Sequence, residues 1–377
     1  MSEQRDSGRS DGTRARAVVL ERFNEPLVLR EFDVPAAPGS GLVVACRYGG
    51  VCGTDLHLRS GHLAIPVPLV LGHEGLGVVH ETGPGLTHDA TGAPLRAGDT
   101  VMWASSIACG SCVPCRQHRE PTLCENRRTY GVNRSTLDGP ALSGAWADYI
   151  VLQEGTTVVK LDDRVDPLAA MSLACAGPTV VHALYERRPV RVGEVVVVQG
   201  SGPVGLAAAA MAQLAGAAKV IVVGGPAGRL ELAAAAGIGD EHLDIVGAAD
   251  PEEVLAAVRE ATGGAGADLV VECTGVPAAL AQGISLARRG GSYLVIGQYT
   301  DAGDTSFNPH QIVFRQLDVV GSWAFTGSHV VEYVKLLPAL SARFDLGSLV
   351  TAYPLAEHAK ALADVAAGSV MKAVLAS

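Results

Sequence analysis

The sequence predicts an α/β chain of two domains, one β-rich and one built on a doubly wound parallel sheet. Three observations lead there. The chain has 377 residues, beyond the roughly 100 to 200 typical of one domain. Its first half carries short apolar runs punctuated by Gly and Pro, and Gly occupies 45 positions, well above ordinary usage, so tight turns are frequent. From about Val192 apolar strand-like runs alternate with Ala-rich helical ones, the sequence form of a parallel sheet covered by helices.

The elements follow in order. The amino-terminal stretch from Met1 to about Arg14 is polar and charged and lacks the apolar core of a secretory signal, so it reads as a disordered leader. Strands are expected at Ala17 to Leu20, Gly41 to Tyr48, Gly77 to Glu81 and Asp148 to Leu152. In the second half strands are expected at Val195 to Gln199, Lys219 to Val223, Asp268 to Gly275, Gly291 to Gln298 and Leu317 to Ser322. Helices are expected from about Pro203, at Arg229 to Ala236 and at Pro251 to Ala261. After Trp323 come two helix-like segments and a final strand, MKAVLA.

Charge and composition exclude several classes of function. Hydrophobic residues make up 48% and charged residues 18%, enough for a sizeable core. With 29 Lys and Arg against 39 Asp and Glu the formal charge is −10, so no basic surface offers itself to a nucleic-acid backbone. Apolar runs are broken before about 18 residues, which argues against a membrane span. The protein is therefore read as soluble and cytoplasmic. Eight cysteines in such a compartment point to metal ligation or core packing before disulfides.

GSGPVG at Gly200 to Gly205 follows a strand and opens a helix, the context a dinucleotide fingerprint requires. Gly200 allows the tight turn, Gly202 lets the backbone approach a pyrophosphate, and Gly205 lets helix pack closely on strand. An acidic residue is expected at the end of the second strand to hold the ribose 2′-hydroxyl, but Gly224 stands there. Losing that carboxylate removes a repulsion against a 2′-phosphate, and Arg229 is placed to pair with one. The coenzyme reading tilts toward NADP over NAD, with a solvated first-turn role as the alternative for Arg229.

Cys109, Cys112 and Cys115 in CGSCVPC, with Cys124 further on, offer four sulfurs to one tetrahedral cation and leave no open position, as a structural zinc site requires. A second set is scattered. Cys52 lies in VCGTDLH, His73 and Glu74 in GHEGLG, and Cys175 in SLACAGPT. Three ligands with a fourth position left open describe a catalytic zinc, although a single Cys is more often a small buried hydrophobe. Cys46 and Cys273 read as core thiols, His182 as structural, and His62, His80, His88 and His118 as surface residues. Trp103 and Trp146 suit either a substrate wall or plain packing.

These motifs together resemble the zinc-containing alcohol dehydrogenases of the medium-chain dehydrogenase/reductase superfamily. CGTDLH at Cys52 to His57 is similar to the family's first metal segment, GHEGLGVVHETG at Gly72 to Gly83 to its zinc signature, and CGSCVPC to its structural lobe. The resemblance implies a GroES-like catalytic domain at 15–180 and 323–377 with a Rossmann domain at 181–322 inserted. It also implies two zinc ions per chain, an alcohol or carbonyl substrate, NAD(P) as coenzyme, and a homodimer or homotetramer in which GSYLVIGQ could pair across subunits. Cys52, His73 and Cys175 would bind catalytic zinc, with Glu74 beside it and Asp55 orienting His73. Thr54 and His57 would relay a proton, while Val204, Thr179 and Lys372 would lie along the coenzyme. A polyol or amino-alcohol dehydrogenase of the same architecture is an alternative, as is a non-catalytic relic of the scaffold. One residue more than the family usually has between Cys115 and Cys124 is a length a loop absorbs.

Overall fold

In the computed structural model, residues 12–377 are described. They fall into two compact units, 12–174 with 326–334 and 350–377, and 175–325 with 335–349. Most of the stretch read as a leader lies outside the described residues, but its last residue, Arg14, already belongs to the strand Arg14–Leu20.

The first unit is β-rich. Its main sheet runs in the order Val158–Lys160, Thr100–Trp103, Gly75–Thr82, Leu42–Val51, Lys372–Ala376, Val350–Pro354, and Tyr149–Leu152 also pairs with Leu42–Val51. The long strand Leu42–Val51 has the burial of a two-sided core strand, and it carries bulges against Gly75–Thr82 between Val43 and Val44 and between Cys46 and Tyr48. Such bulges bend a sheet toward closure. The carboxy-terminal strand pairs antiparallel with it, Ala373 opposite Val51 and Ala376 opposite Tyr48. The carboxy-terminal strand thus completes a sheet begun by the first half of the chain, and this register carries Lys372 to the neighbourhood of Glu74.

Trp103 and Trp146 are both buried in this unit. The Trp146 indole donates to the Gly50 carbonyl at 2.8 Å, and the Trp103 ring lies where a side chain at position 75 would stand, so Gly75 is the only residue that fits. Packing, not a substrate wall, is what these rings do.

The second unit holds six parallel strands, β1 (Val195–Gln199), β2 (Lys219–Gly224), β3 (Glu241–Asp244), β4 (Ala267–Glu272), β5 (Ala287–Val295) and β6 (Asp318–Gly321). They are ordered 3-2-1-4-5-6, a doubly wound Rossmann sheet whose strand order reverses beside β1. Residues 335–349, assigned by the sequence reading to the other domain, belong here. The Asp345 amide donates to the Ala236 carbonyl and Arg343 to that of Gln213.

GSYLVIGQ does not supply a free edge, because β5 is hydrogen-bonded to β4 on one side and β6 on the other. The edge on that side is β6, with Val319 exposed, and the opposite edge is β3. Among the described residues no helix is long and apolar enough to cross a membrane.

Candidate functional site

In the first unit, Cys52 caps the helix Gly53–Arg59, and the Asp55 carboxylate accepts the Cys52 amide at 2.8 Å. That bond fixes the first turn and leaves the other Asp55 oxygen free for His73, whose Nδ1 lies 3.2 Å away. An Nδ1–H donated to a carboxylate fixes the tautomer and leaves the Nε2 lone pair available, the arrangement found behind metal-binding histidines. Burial alone would push the His73 imidazole toward neutrality. The charges of Asp55 and Cys52 outweigh it and hold the pKa well above the usual value, so that without a cation Nε2 carries a proton, whose place a dication would take.

Nε2 of His73 and Oε1 of Glu74 are buried and have no hydrogen-bond partner. They stand 3.8 Å apart, too far to satisfy each other. Two adjacent orphaned polar atoms in a dry interior are costly, and a dication is the partner their chemistry fits.

Glu74 is held from behind. Its Oε2 lies 2.5 Å from Lys372 Nζ, which also donates to the Val51 carbonyl at 3.2 Å. All three charged side chains, Asp55, Glu74 and Lys372, are at most 4% exposed. Burial pushes the Glu74 carboxyl upward, against the pull of Lys372. A side chain at position 50 would collide with that of Glu74, so Gly50 makes room for it. Lys372, expected from the resemblance along the coenzyme, thus has an ion pair in the interior of the first unit that the sequence did not announce.

Thr54 and His57 lie on the same short helix. The Thr54 hydroxyl is 3.9 Å from the Cys52 sulfur. His57 is half-buried, and its Nδ1 is 3.2 Å from Nδ1 of His62. His62, read as a surface residue, is exposed but partners a residue of the expected relay, a contact the intervening helix end hides from sequence.

Cys109, Cys112, Cys115 and Cys124 converge, their sulfurs all within 4.8 Å of one another. Cys112 and Cys124 sulfurs are 4.0 Å apart. This is twice a disulfide length, and near the edge of about 3.8 Å that four Zn–S bonds of ~2.3 Å give a tetrahedron. The Ser111 hydroxyl and the amides of Ser111 and Cys112 donate to the Cys109 sulfur, lowering its pKa to about 5. Burial and the neighbouring Cys112 and Cys124 sulfurs push Cys115 up to about 12. One thiolate forms readily and its neighbours then resist, the signature of interacting acids. A dication removes that resistance.

In the second unit the turn after β1 meets the helix α1 (Pro203–Leu214). Gly200 has φ +112, in the left-handed region, and a side chain on Gly205 would strike the Gly200 carbonyl. Nothing lies within 4 Å of where a Gly202 side chain would stand. The backbone is bare there, and the helix start offers its free amides. A cavity of about 410 Å³ is lined by Gly200, Gly202, Gly224 and Arg229, among others. Arg229 lines this cavity and its buried Nε has no hydrogen-bond partner, so its guanidinium suits an anion.

Val204 lies in the first turn of α1 and Gly205 beneath it. Thr179 does not line this cavity. Its hydroxyl donates to the Cys175 carbonyl at 2.9 Å. Cys175 itself starts the helix Ala176–Val181. Cys273, read as a core thiol, instead stands on the cavity wall, half-buried just beyond β4. Cys46 is buried in its strand. His182 is buried, its Nδ1 2.9 Å from the Ala324 carbonyl, a structural contact.

Comparison with known proteins agrees with this chemistry. Residues 39–163 match the alcohol dehydrogenase GroES-like domain family and residues 203–341 the zinc-binding dehydrogenase family. The chain is 34% identical to 5-exo-hydroxycamphor dehydrogenase of Pseudomonas putida, over 96% of this chain and 99% of that protein. It is 31% identical to a sorbitol dehydrogenase of Halalkalibacterium halodurans, over 90% and 92%. Among solved structures, an alcohol dehydrogenase of Thermotoga maritima superposes with a TM-score of 0.90 at 36% identity, covering 97% of this chain and all of that one. A zinc-binding dehydrogenase of Sinorhizobium meliloti, solved with NADP bound, gives 0.82 at 25% identity, covering 97% and 100%. The chain belongs to the zinc-containing alcohol dehydrogenases of the medium-chain dehydrogenase/reductase superfamily.

Proposed function

We propose that this enzyme, an oxidoreductase moving a hydride between an alcohol or carbonyl substrate and NAD(P), prefers NADP and holds two zinc ions per chain. The observation that carries the first part is the cavity edge at Gly224, where no carboxylate stands and Arg229 Nε lacks a partner. The solved relative with NADP bound supports the same reading.

Cys109, Cys112, Cys115 and Cys124 would hold one ion for structure. Cys52, His73 and Cys175 would hold the other, with Glu74 beside it. Zinc supplies a Lewis acid that lowers the pKa of an alcohol and polarises a carbonyl, and the nicotinamide supplies the hydride acceptor or donor. The protein's own groups do the rest. Asp55 keeps the His73 tautomer, Lys372 neutralises and anchors Glu74, and Thr54 Oγ1 takes the proton from a substrate hydroxyl. His57, nearer the solvent, passes that proton outward. Thr179, Val204 and the Gly200 to Gly205 turn would contact the coenzyme.

A direct test compares NADP and NAD in the wild type and in Arg229→Ala. A charge-assisted contact to a 2′-phosphate predicts a preference for NADP of roughly tenfold to a hundredfold. Arg229→Ala is expected to erase most of it while leaving NAD unchanged. Higher catalytic efficiency with NAD in the wild type would contradict the reading.

Assembly is expected at the β6 edge. That edge is uncovered among the described residues, Val319 and the following Trp323 are exposed, and Trp323 stacks on Tyr299 at 4.6 Å. Bare edges pair with other strands, and a second copy of this chain offers a matching one. Val319→Lys is expected to shift the protein toward monomer in sedimentation, and an unchanged oligomer would place the interface elsewhere.

A further inference from the structure

The absent carboxylate at the end of β2 has a steric counterpart inside the phosphate turn. Ser201, the second residue of GSGPVG, is 3% exposed. Its hydroxyl donates to the Gly225 carbonyl at 2.9 Å and accepts the Gly225 amide at 3.0 Å. One side chain of the turn thus uses its donor and an acceptor on the same peptide-bearing residue, 24 positions away. The end of β2 is tied to the turn after β1.

The tie leaves no room at position 224. A Cβ on Gly224 would lie 2.7 Å from the Ser201 Cβ, 2.7 Å from its Oγ and 2.8 Å from its amide nitrogen. An Oγ can rotate away, but a Cβ and a backbone nitrogen cannot. On the far side, a Cβ on Gly225 would lie 2.6 Å from Asp244 Oδ1 and 2.6 Å from the Val246 Cβ. Asp244 is itself held by the Val246 and Gly247 amides at 3.0 and 2.9 Å. The paired glycines are wedged between the phosphate turn and the loop after β3, and both of those segments line the same cavity.

We propose that Ser201 is a positioning residue that fixes the phosphate turn against the end of β2 and makes glycine obligatory at 224, so that coenzyme choice is set by the Ser201–Gly224 pair. The proposal rests on the coenzyme site described above and adds the residue that dictates its selectivity. A single exchange of Gly224 for an acidic residue does not convert the site. The new Cβ displaces the turn whose amides face the phosphates, which both coenzymes share, and binding of both falls together. Conversion requires Gly at 201 as well, which removes two of the three close contacts and the two hydrogen bonds that hold the third in place.

The test is a double-mutant cycle read by calorimetric binding of NADP and NAD to the full chain, with melting temperatures recorded alongside. Gly224→Ala is expected to weaken both coenzymes by a similar factor, about tenfold to a hundredfold, the scale of an overpacked contact. In a Ser201→Gly background the same change is expected to cost less than about threefold. Ser201→Gly with Gly224→Asp is expected to bind NAD more tightly than NADP, whereas Gly224→Asp alone loses both. Ser201→Ala, which keeps the Cβ and removes the tie, is expected to weaken both coenzymes even where Gly224→Ala fails to fold. Wild-type affinity in Gly224→Ala, an equal cost of that change in both backgrounds, or wild-type affinity in Ser201→Ala would each overturn the proposal. The wild type's own preference is read separately: tighter binding of NAD contradicts the NADP reading, while the coupling decides the role of Ser201.

Discussion

Lys372→Met is expected to destabilise the protein by about 3 to 5 kcal/mol, the cost of stripping one partner from a buried ion pair. The Glu74 and Lys372 side chains are at most 2% exposed and in direct contact, so Glu74 cannot turn to water when its partner goes. Burial already pushes its carboxyl upward. Without the ammonium, Glu74 takes up a proton or disorders its strand. Chemical denaturation reads the loss. The pair Glu74→Gln with Lys372→Met is expected to recover most of it, because two neutral groups leave no charge unpaired. A loss below about 1 kcal/mol in the single variant would mean that the pair is solvated.

Cys109→Ser is expected to cost more than about 3 kcal/mol, since affinity for a structural metal is part of folding free energy. Cys109 is the sulfur best prepared for a cation, with its pKa lowered to about 5 by three donors from Ser111 and Cys112. A serine oxygen keeps the shape and loses the soft ligand. Melting temperature and zinc content of the same preparation check this. An unchanged melting temperature with both ions retained would remove the lobe from the account of stability.

Much of this site was legible from sequence because its signals are local. Gly200, Gly202 and Gly205 have positions set by a single strand–turn–helix, and Cys109, Cys112 and Cys115 sit within seven positions. The Asp55 to His73 bond followed from the resemblance. Contacts made by distant pairing were not legible. Lys372 reaches Glu74 across 298 residues only because the last strand pairs with Leu42–Val51. Nothing in GSGPVG announces that its serine closes on a residue 24 positions later. Strand Val28–Asp33 is largely exposed and β3 reads EHLD. Such strands carry no apolar alternation to detect, and they form because a neighbour offers a ladder.

Metal content decides whether this chain is a two-zinc dehydrogenase whose catalytic ion is held partly by Cys175. Zinc is measured by mass spectrometry in the purified wild type and in Cys175→Ala, with coenzyme affinity on the same samples. About two zinc ions per chain are expected in the wild type. About one is expected in Cys175→Ala, with turnover lost and coenzyme affinity unchanged, because the turn at Gly200 to Gly205 is intact. A wild type holding one ion or none, or a Cys175→Ala variant that keeps two ions and full turnover, would rule out a catalytic zinc at Cys175.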